Sequence, residues 1–172
     1  MTRTITAAVT VAIMLVAGLA YSVSAQDDAA REAKDRVQIE ALMWKYTRAL
    51  DTANADAYAA VYTPDGQFSS GANATKGHEA LKKMVADIKQ RQVAAAAKGQ
   101  PQAPMYHMTM NHYLEFTGKD QARLHAYWQT VFGAQGQQTP VRVAAAGRSV
   151  DELVRVNGQW LIKSRNVAPT TE

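Results

Sequence analysis

Tyr46 and Asp51 stand five residues apart in the segment KYTRALD, and His107 lies well downstream in MYHMTMN. A phenol, a carboxylate and an imidazole are the parts of a small acid–base catalyst. Imidazole takes and returns a proton near neutral pH. A carboxylate beside it holds one ring tautomer and stabilises the imidazolium. A phenol can donate to a leaving oxygen. His107 is thus the candidate base, Asp51 its partner, and Tyr46 the acid or oxygen donor. Five residues turn about 140° around an ideal helix, so Tyr46 and Asp51 reach one pocket only if the helix ends by Asp51. The stretch ALDTAN permits that ending.

Further residues would form the walls of such a pocket. Asn111 shares strand parity with His107 and could donate to a substrate carbonyl. Leu114 and Phe116 have the opposite parity yet look like core, so a bulge is expected between them and His107. Phe68, Trp128, Ser149 and Met84 complete the expected ligand contacts, and Trp44, Met108 and Met110 read as core or pocket wall. Methionine and aromatic side chains suit a bulky apolar ligand.

The elements that must position these groups follow from periodicity. Ile39, Leu42, Met43, Tyr46, Ala49 and Leu50 recur at helical spacing, predicting a helix over 28–50. Asn54 or Asp56 caps a second, short helix through Tyr62, and Pro64, Asp65 and Gly66 read as a turn. Phe68 sits on a short strand, and Gly71 and Gly77 bound a loose connection. Leu81, Met84, Val85 and Ile88 form the core face of a third helix over 78–97. After Pro104 the pattern turns extended, predicting strands over 105–116, 122–132, 141–156 and 160–167. Asn157-Gly158 is a two-residue hairpin turn between the last two. Helices followed by antiparallel strands read as α+β, with a cavity where a curved sheet wraps a long helix.

Residues 1–25 show Arg3, an apolar run over 5–20 and small residues at Val23 and Ala25, the pattern of a secretory signal peptide cleaved after Ala25. The expectation is a periplasmic or secreted protein, free of the membrane after cleavage, with residues 26–172 as one domain. That domain keeps 147 of the 172 residues, enough for a real core. The chain has no cysteine, which excludes disulfides, thiolate metal sites and cysteine nucleophiles. Arg3 is the only charged residue of the leader, so the mature net charge is +3. Its charges are interspersed, with no basic stripe, which argues against nucleic-acid binding. The four histidines show no helical i, i+4 pair and no carboxylate cluster, so neither a metal nor another cofactor is expected.

Four segments in this order resemble the SnoaL-like branch of the NTF2-like superfamily: IEALMWKYTRALDTANADAYAAVYTPDGQF, then Gly77, then YHMTMNHYLEFTGKDQARLHAYW, then GRSVDELVRVNGQW. The resemblance implies a cone-shaped α+β domain with three N-terminal helices on a curved antiparallel sheet and a deep central pocket. It implies a homodimer or homotrimer through the outer sheet face. Within the superfamily, scytalone dehydratase and hexachlorocyclohexane dehydrochlorinase use an Asp–His pair at the positions of Asp51 and His107. Bile-acid 7α-dehydratase adds a tyrosine matching Tyr46. All three are lyases. The second pocket histidine of scytalone dehydratase falls at Ala126, with His125 one residue off in register, and its third-strand polar residues fall near Gly147 and Ser149. The substrate therefore does not carry over. Two readings stay open: an exported, cofactor-independent dehydratase-type lyase acting on a cyclic apolar substrate, or a non-catalytic protein of the same fold that binds a small apolar or cyclic ligand.

Overall fold

The computed structural model describes residues 2–70, 72–100, 102–135 and 140–170, and side chains from residue 26 onward. The elements are α1 (Thr2–Asp51), α2 (Ala55–Ala60), β1 (Tyr62–Ser70), β2 (Asn73–Lys76), α3 (His78–Ala97), β3 (Met105–Gly118), β4 (Gln121–Phe132), β5 (Arg142–Val156) and β6 (Gln159–Asn166). The chain divides into two compact units, Met1–Gln38 and Ile39–Glu172. The expected signal peptide falls on residues whose side chains lie outside the described set. Among the described residues no helix is long and apolar enough to cross a membrane.

In the second unit, helices pack on a curved, open six-stranded sheet of order β2-β1-β6-β5-β4-β3. The α+β class read from the sequence is the class observed. The sheet is mixed: β1 and β6 run parallel, and the other neighbours are antiparallel. The parallel pair arises because β1 precedes α3 and the four long strands follow it, so β6 returns beside β1 from the far end. Local periodicity carries no trace of that pairing.

α1 presents Ile39, Leu42, Met43, Tyr46, Ala49 and Leu50 to the core, as its spacing predicts. Trp44 was expected in the core or pocket wall but projects away, 67% exposed. α2 begins at the Asn54 cap, whose side chain accepts from the Ala57 amide, and ends at Ala60 rather than Tyr62. Tyr62 instead opens β1. The expected turn at Pro64 to Gly66 lies inside that strand as a bulge, because the partner register jumps between Tyr62 and Gln67. Gly66 is needed there: a Cβ would sit 2.8 Å from Tyr62 Cβ and 2.9 Å from the Thr63 carbonyl oxygen. The expected loose connection contains β2, paired back onto β1. Asn157 and Gly158 both take positive φ, as a type I′ hairpin turn requires.

α3 packs on α2, β1 and β2, with Leu81 and Val85 fully buried. Leu81→Ala should cost about 2–5 kcal/mol in urea unfolding. Val93→Ala, on the exposed side of the same helix, should stay within about 0.5 kcal/mol.

Candidate active site

α1 stops at Asp51. The Ala53 amide donates to the Leu50 carbonyl at 3.0 Å, and the Asn54 amide donates to the Ala49 carbonyl at 2.8 Å. Ala53 stands in the left-handed region at φ 48°. Together these form a Schellman ending, here with alanine where glycine is commoner. Its consequence is positional: Asp51, the last helical residue, leaves the axis facing β3.

β3 is an edge strand. The His107 backbone N–H points away from β4 and donates to Asp51 Oδ1 at 2.9 Å. His107 Nδ1 lies 2.8 Å from the same oxygen. An ionised carboxylate only accepts, so Nδ1 carries the proton and neutral His107 keeps Nε2 bare. The Asp51 side chain is 8% exposed and that of His107 is 19% exposed. The pair is therefore largely shielded while the imidazole still meets the cavity.

That cavity encloses about 190 Å³ and is lined by Tyr46, Leu50, Phe68, His107, Met108, Thr109, Trp128, Thr130, Ala145, Arg165 and Val167. Its walls come from α1 and from every strand except β2. Trp128 forms one wall because Gly147 leaves room for it: a Cβ there would meet the indole at 2.8 Å. The indole N–H is shared between the Arg148 and Val167 carbonyls, each at 3.0 Å.

A buried cation also lines the cavity. Arg165 is 2% exposed, pairs with fully buried Asp151, and lies over the Tyr46 ring at 4.5 Å from its centroid. Burial pushes the Asp151 carboxyl up to about 6, against the opposing pull of Arg165. Burial is the largest influence on Arg165 and works against its charge, but Asp151 together with Tyr46, Tyr62 and Tyr58 outweighs it and keeps the guanidinium ionised. Tyr58 and Tyr62 share a hydroxyl contact at 3.1 Å beneath the Tyr46 ring. Burial holds both phenols well above the usual tyrosine range, so they stay neutral.

The SnoaL-like domain profile matches residues 31–166, most of the chain. The chain belongs to the SnoaL-like family. Solved structures agree in fold. An NTF2-like protein with a cystatin-like fold from Novosphingobium aromaticivorans superposes with TM-score 0.67 at 19% identity, over 83% of this chain and 86% of that one. A protein of the same organism, provisionally assigned as a scytalone dehydratase, gives 0.63 at 21%, over 80% and 85%. A Catenulispora acidiphila protein in complex with S-DNPA gives 0.63 at 20%, over 77% and 91%. None of the curated proteins matches the chain significantly.

This SnoaL-like domain gathers Tyr46, His107, Phe68 and Trp128 around one cavity, with Asp51 bound to His107. Three expected contacts fall elsewhere. Asn111 sits in the β3 bulge between Met110 and Tyr113 at φ 53°. It lines a separate groove with Tyr113, His125, Tyr127 and Arg148. The bulge breaks the parity that had aligned it with His107. Ser149 is buried but lines that same groove, two residues beyond Gly147 and past the Trp128 wall. Met84 packs on the core from α3, on the β1 and β2 side. His78 is tied to the Tyr62 carbonyl at 3.0 Å. Among the described residues no three His, Asp or Glu side chains gather as a metal site.

The sequence reading missed Arg165, Asp151, Thr109 and Thr130. Uninterrupted pairing from Asn157-Gly158 would set Asp151 opposite Ser164. A register shift between Glu152 and Leu153 sets it opposite Arg165 instead. The available signal was strand parity, which puts Asp151 on the buried face with Leu153.

The tautomer can be checked directly. Long-range proton–nitrogen NMR at about pH 8, where imidazole is neutral, should show His107 protonated at Nδ1, and Asp51→Ala should abolish that preference. The same variant leaves the β3 edge amide unpaired and should lose about 1–3 kcal/mol of stability.

Proposed function

We propose that this chain is an exported small-molecule lyase that eliminates water from a cyclic carbonyl substrate. The observation that carries the reading is the shielded Asp51–His107 couple at the wall of an apolar cavity. His107 Nε2 takes a proton from the carbon beside the carbonyl. Asp51 holds the ring and stabilises the imidazolium that forms. The electron pair moves toward the carbonyl oxygen, where the Arg165 guanidinium, fixed and desolvated, meets the developing charge. The hydroxyl on the next carbon then departs, protonated by Tyr46 or by the imidazolium. Proton and hydroxyl leave together as water, so the step needs no co-reactant. The likeness to a structure provisionally assigned as a scytalone dehydratase is consistent with this class.

Cavity size limits the substrate. About 190 Å³ is somewhat above the roughly 150 Å³ of a cavity that takes benzene, and below the range of drug-sized sites. One or two rings fit that space better than a four-ring skeleton. A second reading, a binding protein without turnover, rests on Ala126 standing where scytalone dehydratase has its second histidine.

Turnover of cyclic β-hydroxyketones, followed by enone absorbance, separates the two. The lyase reading expects His107→Gln to lower kcat by about 10²–10⁴ with the fold intact. Turnover indifferent to that change would sink the mechanism, and binding without turnover would favour the second reading. Export has its own check: N-terminal sequencing of the protein secreted by its host should begin at Gln26.

A further inference from the structure

The Asp151–Arg165 pair has a feature that the elimination does not use. Both residues are buried, and they face each other across β5 and β6. Asp151 Oδ2 takes the Arg165 guanidinium Nη1. Arg165 Nε and Asp151 Oδ1 have no hydrogen-bond partner among the described residues. Arg165 lines the cavity and Asp151 does not. The ligand thus meets a guanidinium whose charge is already balanced from behind.

We propose that Asp151 sets the substrate class: by cancelling the Arg165 charge it makes the cavity select neutral carbonyl compounds and reject carboxylates. This rests on the cavity reading above and deepens it. A lone buried guanidinium would draw any organic anion small enough to enter. With Asp151 ionised, an incoming carboxylate must lose its hydration and meets a pair with no net charge. No other described cation lines the cavity, and the charged or titratable groups around it are Asp51, His107 and Tyr46. Among the described residues, the neutral phenols of Tyr58 and Tyr62 lie near the guanidinium, beside the Tyr46 ring. A neutral carbonyl oxygen loses little on entry and still finds a polarising donor. The charge that grows on it during proton removal is transient and is balanced by the imidazolium formed at the same time.

The test uses two ring probes of similar size, benzoate and acetophenone, and reads binding by titration calorimetry. The wild-type protein at about pH 8 should prefer acetophenone, because Asp151 is then ionised. Asp151→Asn should reverse that preference, raising benzoate affinity about tenfold or more with little change for acetophenone. Stronger benzoate than acetophenone binding by the wild type, or an unchanged preference in folded Asp151→Asn, would overturn the proposal.

A buried guanidinium left unpaired can prevent folding. The second arm therefore uses His107→Gln, which removes the imidazole but keeps Asp151. Between about pH 8 and about pH 5 the Asp151 carboxyl, raised to about 6, should protonate while benzoate stays ionised. Benzoate affinity should rise several-fold over that range and acetophenone affinity should stay flat. A flat benzoate profile would overturn the proposal. Because the readout is binding, loss of the predicted selectivity and loss of His107-dependent turnover are separate failures. Failure of both probes to bind would overturn the cavity reading on which the selectivity rests.

Discussion

One carboxylate ties the helical layer to the edge of the sheet. Asp51 Oδ1 accepts from both the backbone and the ring of His107. The backbone bond satisfies an amide on the free edge of β3, a position where unpaired donors invite other strands. The ring bond selects the tautomer that leaves Nε2 open to the cavity. A single oxygen thus places an element and prepares a base. That dual role depends on the Schellman ending of α1, because a helix continued past Asp51 would rotate the carboxylate away from the strand.

The second polar centre works differently. Asp151 and Arg165 are among the most deeply buried side chains of the fold, and burying ions carries a large desolvation cost. Contact between them offsets much of it, as does the Tyr46 ring under the guanidinium. Two polar atoms of the pair still lack partners. Buried unsatisfied groups are uncommon in folded proteins and concentrate where function requires them. Here one of those atoms, Arg165 Nε, belongs to a residue that lines the cavity.

Much of the candidate site's placement was legible in the sequence. The apolar stripe on α1, the stop signal in ALDTAN and the extended period after Pro104 were enough to place Tyr46, Asp51 and His107 on the right elements. Register was less legible. Asn111 lost its alignment to a bulge, and a second shift in β5 brought Asp151 opposite Arg165. Bulges answer to the twist and closure of a whole sheet rather than to the residues at which they occur. Third-strand position assigns Ser149 to the pocket and residue type assigns Met84 to it, whereas the Trp128 wall and the seat of α3 put them outside it.

By itself, the sequence determined the class of the fold, the long helix with its end, the hairpin at Asn157-Gly158, and the pairing of a carboxylate with an imidazole as the chemistry on offer. Those properties reside in local periodicity, capping and side-chain identity. Only the tertiary structure decided that β1 runs parallel to β6, that Arg165 looks into the cavity with Asp151 behind it, and that the space is about 190 Å³. Parallel pairing, ion pairing and cavity volume arise between segments far apart in the chain. No short window of residues holds that information.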